Sequence, residues 1–123
     1  MHRPDQPMEL GMREAGDTLV LTVPEHRIDA LSAIRFKDAM RGVLSRDPSR
    51  VLLDLSRVQF IDSSGLGAIV AARKLFGPER PLELAGLTPI VRKVFALTQL
   101  DSVFVIHACT EDGLAPPVRS ANA

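Results

Sequence analysis

Residues 18–23, Thr-Leu-Val-Leu-Thr-Val, alternate and are rich in β-branched side chains, which predicts a strand that Pro24 ends. Residues 8–13 read as a short edge strand before it, joined through a turn at Gly16-Asp17. Beyond Pro24 the period changes. Ala33, Phe36, Met40, Val43 and Leu44 recur at steps of three and four, with Arg35, Lys37, Asp38 and Arg41 on the other face. Residues 30–45 are therefore predicted to form an amphipathic helix. Asp29 can cap it by accepting an otherwise orphaned backbone N–H, and Asp47-Pro48 closes it, because the residue before a proline avoids helical angles.

The apolar run at 51–55 predicts a strand covered on both faces, and 58–61 a second extended piece after a turn at Ser56-Arg57. Leu66, Ile69, Val70, Arg73 and Phe76 mark a helix ended by Gly77-Pro78. Residues 82–85 form a strand, and Gly86 permits the turn after it. Thr88-Pro89 starts a further helix with a capping hydroxyl followed by proline at the first helical position. Its buried face is expected to be Ile90, Val91, Val94, Phe95 and Leu97. Residues 103–106 are the last predicted strand, and a helical stub opening at Thr110 is cut off by Gly113 and Pro116-Pro117. Strands alternating with helices imply crossover connections. The expected class is α/β, with a mixed, mainly parallel sheet of about five strands. Residues 1–115 are expected to make one domain and 116–123 a flexible C-terminal tail.

Composition narrows what such a domain can do. The chain has 123 residues, with Lys+Arg and Asp+Glu equal at 15, so it has no general pull toward nucleic acid or anionic lipid. No direct nucleic-acid contact and no membrane insertion are expected. The lone Cys109 cannot make an internal disulfide and is expected to be a small buried hydrophobe; a reducing, cytoplasmic location follows as the simplest inference. The first 16 residues carry no apolar stretch of signal-peptide type. The chain has five Phe and neither Trp nor Tyr, which argues against aromatic platforms for bases or sugars and assigns the Phe rings to the core.

The chemistry concentrates in Asp62-Ser63-Ser64-Gly65-Leu66-Gly67, where a strand gives way to a helix. Partners of parallel sheets meet the protein at that end of the strands. The first N–H groups of the helix lack internal partners and carry the positive end of its dipole, so a phosphate on Ser64 is tolerated by its own domain. On the residues alone, capping is the commoner use of serines placed like Ser63 and Ser64, and Gly65 and Gly67 equally suit close packing of helix on sheet. Enzyme readings fare worse. Gly65-Leu66-Gly67 begins a dinucleotide fingerprint whose third glycine position holds Val70. Asp62 stands where a nucleophile elbow needs glycine, and nothing places His2, His26 or His107 near Ser64. Metal-ligand spacing is absent, and no cofactor or catalytic residue is expected.

Three stretches resemble a STAS domain, the module shared by sulfate transporters and bacterial anti-sigma factor antagonists. They are Arg27-Ile28-Asp29-Ala30; the run from Val51 to Leu55 with Phe60-Ile61-Asp62-Ser63-Ser64-Gly65-Leu66-Gly67; and Leu84-Ala85-Gly86-Leu87 with Pro89, Val91-Arg92 and Leu97 to Asp101. The resemblance covers roughly residues 18–114. It implies an anti-sigma factor antagonist in a partner-switching pathway. Ser64 matches the serine phosphorylated by an anti-sigma factor serine kinase and restored by a serine phosphatase. Asp29, Asp62, Ser63, Ser64, Gly65 and Leu66 would line the partner contact. A STAS subunit of a stable assembly, in a lipid-transport complex or signalling scaffold without a phosphoswitch, is the alternative. Two departures stand out: His26 replaces a glycine frequent in relatives, which bears on the shape of the Asp29 loop, and Gly113 with the prolines shortens a final helix that is longer in the family.

Overall fold

A computed structural model describes residues 6–115, so the expected tail at 116–123 lies outside the described residues. The elements in chain order are β1 (Gly11–Ala15), β2 (Thr18–Thr22), β3 (Arg27–Ile28), α1 (Ala30–Leu44), β4 (Arg50–Asp54), β5 (Phe60–Ile61), α2 (Ser63–Phe76), β6 (Leu82–Ala85), α3 (Pro89–Leu97), β7 (Ile106–His107) and α4 (Thr110–Leu114). The main sheet has five strands in the order β1-β2-β4-β6-β7. Only β1 and β2 pair antiparallel, through the turn at Gly16; the other three pairings are parallel. The mixed, mainly parallel sheet expected from the helix–strand alternation is the one observed.

Pleating sorts the strand residues between two faces. Leu19, Leu21, Val51, Leu53, Leu82 and Leu84 join Phe36, Met40, Ile69, Val91 and Phe95 from the first three helices in the main core. Val20, Leu52 and Ala85 point to the opposite face, where Leu114 of α4 packs on them. Leu52 is fully buried, so the central strand is covered on both sides as its unbroken apolar run predicts. Gly113, expected to cut α4 off, lies buried within it. A Cβ there would stand 2.7 Å from Leu52 Cδ2 and 3.1 Å from His107 Cδ2, so the glycine lets this short helix approach the sheet. Beside it, Arg50 donates to the Gly113 carbonyl at 2.8 Å and to Glu83 at 2.5 Å, while His107 meets the same carboxylate at 2.8 Å. Burial pushes the Glu83 carboxyl up, but its bonds to Arg50 and His107 outweigh this and hold it below the usual carboxylate range.

Several expectations need correction. The first strand starts at Gly11 rather than residue 8, because Met8 is buried in the core and its N–H donates to the Arg35 carbonyl. The last strand is confined to Ile106–His107; a 3₁₀ turn at Leu100–Ser102 occupies the approach, and Val103 and Val105 are exposed. Ile90 and Leu97, expected on the buried face of α3, are exposed, Leu97 to 75%; burial falls to Val91 and Phe95. Thr88 occupies the N-cap position, but its hydroxyl donates to the Val58 carbonyl instead of capping. Arg35 is 4% exposed rather than outward, because Glu25 accepts from it beneath the loop before β3. Phe60 is exposed while Phe36, Phe76, Phe95 and Phe104 are buried, and Cys109 is half-buried.

Candidate functional site

α1 and α2 follow directly on β3 and β5, a parallel pair in which Arg27 faces Phe60 and Ile28 faces Ile61. Two-residue strands fall below the length at which a period is readable, and β3 was not predicted. The pair brings the two helix starts together. Asp62 N–H donates to the Ile28 carbonyl at 3.3 Å, and a Cβ on Gly65 would lie 2.2 Å from that same oxygen. A residue without a side chain is what lets the first turn of α2 lie against β3.

At the start of α2 the cap is Asp62. Its backbone is extended, its carboxylate accepts from Gly65 N–H at 3.0 Å, and its carbonyl accepts from Leu66 N–H at 2.9 Å. This settles the capping alternative against the serines. Ser63 and Ser64 are the first two helical residues, both exposed, and neither hydroxyl makes a hydrogen bond among the described residues. Gly65 and Leu66, expected to line the partner contact, are buried: Gly65 against Ile28 and Leu66 in the main core. Asp62 itself is half-buried. The first turn of a helix leaves N–H groups without internal acceptors, so the exposed Ser64 hydroxyl stands where added negative charge is least unfavourable.

Asp29 caps α1 as expected and does so reciprocally. Its Oδ1 accepts from Ser32 N–H at 3.2 Å and from the Ser32 hydroxyl at 3.0 Å, while Asp29 N–H donates back to Ser32 Oγ at 2.9 Å. The Ser32 N–H, then its hydroxyl, then Arg27 hold the Asp29 carboxyl below its ordinary value. Arg27 Nε lies 3.6 Å from Asp29 Oδ2. His26 needs no special backbone, since among the described residues the non-glycine positions at positive φ are Asp47 and Gln99. Its carbonyl accepts from Gln59 N–H at 2.7 Å and Phe60 N–H at 3.1 Å, which fixes the Asp29 loop against β5.

Of the residues expected to line the site, Asp29, Asp62, Ser63 and Ser64 lie at the two adjacent helix starts; their neighbours Arg27 and Phe60 were not among those expected. Arg27 and Phe60 stack with the guanidinium carbon 4.1 Å from the ring centre. A cleft of about 490 Å³ lies between the β3 loop and α1, bounded by His26, Arg27, Asp29, Leu31 and Arg35. Among the described residues no group of three or more His, Cys, Asp or Glu is placed to hold a metal ion. No helix among them is long and apolar enough to cross a membrane.

Three helices on one face of a mixed sheet, with the short α4 on the other and the starts of α1 and α2 brought together by the β3–β5 pair, define a small α/β domain. The family model for the STAS domain matches residues 9–113, and the chain belongs to that family. It is similar to anti-sigma-F factor antagonist RsfB of Mycobacterium tuberculosis, 26% identical over 110 residues that span 81% of this chain and 90% of the relative. Anti-sigma-B factor antagonist of Listeria monocytogenes is 32% identical over 80 residues, 64% of this chain and 70% of that protein. The crystal structure of an anti-sigma factor antagonist from Mycobacterium paratuberculosis superposes with a TM-score of 0.78 at 27% identity, covering 85% of this chain and 89% of that one.

Proposed function

We propose that this protein is an anti-sigma factor antagonist that acts in the cytoplasm by partner switching. With Ser64 unmodified, the corner formed by Asp29, Asp62, Ser63 and Ser64 docks on an anti-sigma factor that is also a serine kinase, and the sigma factor is released. Transfer of phosphate to Ser64 ends the contact, and a serine phosphatase restores it. The observation that carries this reading is the exposed, unbonded Ser64 hydroxyl on the first turn of α2, beside a cap that does not use it. Relatives named as antagonists of anti-sigma factors support it.

The physical logic is local. A phosphoserine adds roughly −1.5 to −2 charge at pH 7. The helix start accommodates that charge within the domain, but a partner covering it must desolvate it without a new cation, at a cost of several kcal/mol. Binding is thereby switched with little refolding. The test is to incubate the protein with its anti-sigma factor and ATP and map phosphate by mass spectrometry. Phosphate on Ser64 is expected; phosphate elsewhere, or none, contradicts the reading. Stable co-purification with a membrane assembly, indifferent to Ser64→Asp, would favour the scaffold alternative instead.

A further inference from the structure

β3 and β5 turn Ile28 and Ile61 into the core and Arg27 and Phe60 outward. The Arg27 side chain is 61% exposed and Phe60 38%. The Phe60 ring lies against the guanidinium at 4.1 Å, Nε faces Asp29 Oδ2 at 3.6 Å, and the side chain remains mostly exposed. Arg57 is exposed on the adjoining turn, where its carbonyl lies 3.2 Å from His26 Nδ1; its guanidinium has no ion pair or hydrogen bond among the described residues.

The carboxylates at this end are already engaged. Asp29 accepts from Ser32 and lies 3.6 Å from Arg27 Nε, Asp62 accepts from Gly65, and Glu25 accepts from the buried Arg35. The exposed donors without a partner among the described residues are the Nη groups of Arg27 and the guanidinium of Arg57. Arg35 forms part of the neighbouring cleft wall, but its Nη2 is buried, has no hydrogen-bond partner among the described residues, and adds no donor at the surface. An exposed aromatic ring beside arginines is the composition on which interface energy concentrates.

We infer that this exposed β3–β5 face, centred on the Arg27–Phe60 stack with Arg57 and His26 beside it, docks an acidic segment of a partner protein. One carboxylate meets the fork of Arg27 in the two-pronged arrangement that guanidinium favours, and a second meets Arg57. In naming a partner, the inference rests on the reading of Ser64 as the switch. The face borders α2 through the Gly65–Ile28 contact, so one partner would cover both.

The experiment has two arms. In the first, ¹⁵N-labelled protein is titrated with hexaglutamate peptide at low salt. Shifts confined to residues 26–29 and 57–61 are expected, weakening with added salt, at least tenfold weaker in Arg27→Glu and severalfold weaker in Phe60→Ala. Absence of shifts there, or shifts centred on Arg73 and Lys74, overturns the inference. So does tighter saturable binding of oligouridylate or phosphatidylserine vesicles through the same residues. In the second arm, affinity for the anti-sigma factor is compared between wild type and Arg27→Glu, with Arg27→Gln as the substitute if the charge reversal fails to fold. A loss of at least tenfold supports the face as the partner's contact. Full affinity in the variant removes the face and leaves the Ser64 switch standing. A wild type that binds hexaglutamate on this face but not the anti-sigma factor keeps the face and removes the switch.

Discussion

Gly65 packs against the carbonyl of Ile28 so closely that a methyl group in place of its hydrogen would stand 2.2 Å from that oxygen. The oxygen is backbone, held by Asp62 N–H, and cannot swing aside as a side chain would. The contact sets the position of Ser64, one residue away.

Two glycines of the same helix should consequently respond in opposite directions. Gly65→Ala forces β3 and α2 apart and is expected to cost about 3 kcal/mol, at the upper end of overpacking penalties. Gly67 is exposed with nothing within 4 Å of its Cβ position, so Gly67→Ala should stabilise by about 0.5–1 kcal/mol through helix propensity. Urea unfolding of the two variants measures both. Equal effects would show that Gly65 is not tightly seated.

The cap assignment separates Asp62 from the serines. Asp62→Ala loses the bond to Gly65 N–H and should destabilise by about 1 kcal/mol. Ser63→Ala and Ser64→Ala break no hydrogen bond and should stay within about 0.5 kcal/mol of wild type. Thermal melts of the three variants decide; a loss at Ser64 matching that at Asp62 would return the serine to a structural role.

Acid should unfold the protein in part through Glu83. Its carboxyl is held below the ordinary 4.5 in the fold by Arg50 and His107, so the unfolded chain takes up its proton first as pH falls. The associated stability is present above about pH 4.5 and is lost as pH drops through the lower folded value. Asp29, held below 3.8 by Ser32, adds a contribution of the same sign. Glu83→Gln should be less stable than wild type at pH 7 and should show a shallower decline between pH 5 and 3, followed by circular dichroism. An unchanged acid limb would mean that the Arg50–Glu83–His107 cluster does not couple to folding.

Much of the fold was legible because long apolar periods survive into structure. The 15-residue α1, its Asp29 cap and the doubly covered β4 follow from spacing alone. What could not be read depends on pairing across the chain. β5 falls within the extended piece expected at 58–61, but its partner β3 is two residues long, too short for a period, and exists because it pairs with β5. Arg35 looks solvent-facing in a helical projection and is buried only because Glu25 lies over it. At the site the sequence left open whether the serines cap the helix, because an Asp or a Ser can each cap, and only the backbone geometry shows that the helix starts after Asp62 and leaves both hydroxyls exposed. Leu66, placed on the contact surface through the family resemblance, turns inward because its position on α2 faces the sheet.

The Ser64→Asp variant tests the central claim most directly. It adds charge at an exposed hydroxyl that supports nothing in the fold, so its melting temperature should remain within a few degrees of wild type. Its affinity for the anti-sigma factor, measured by isothermal titration calorimetry beside Ser64→Ala, should fall about a hundredfold, equivalent to about 3 kcal/mol, while Ser64→Ala binds as wild type. Equal affinity for all three proteins, or a collapse in stability of the aspartate variant, would contradict the account.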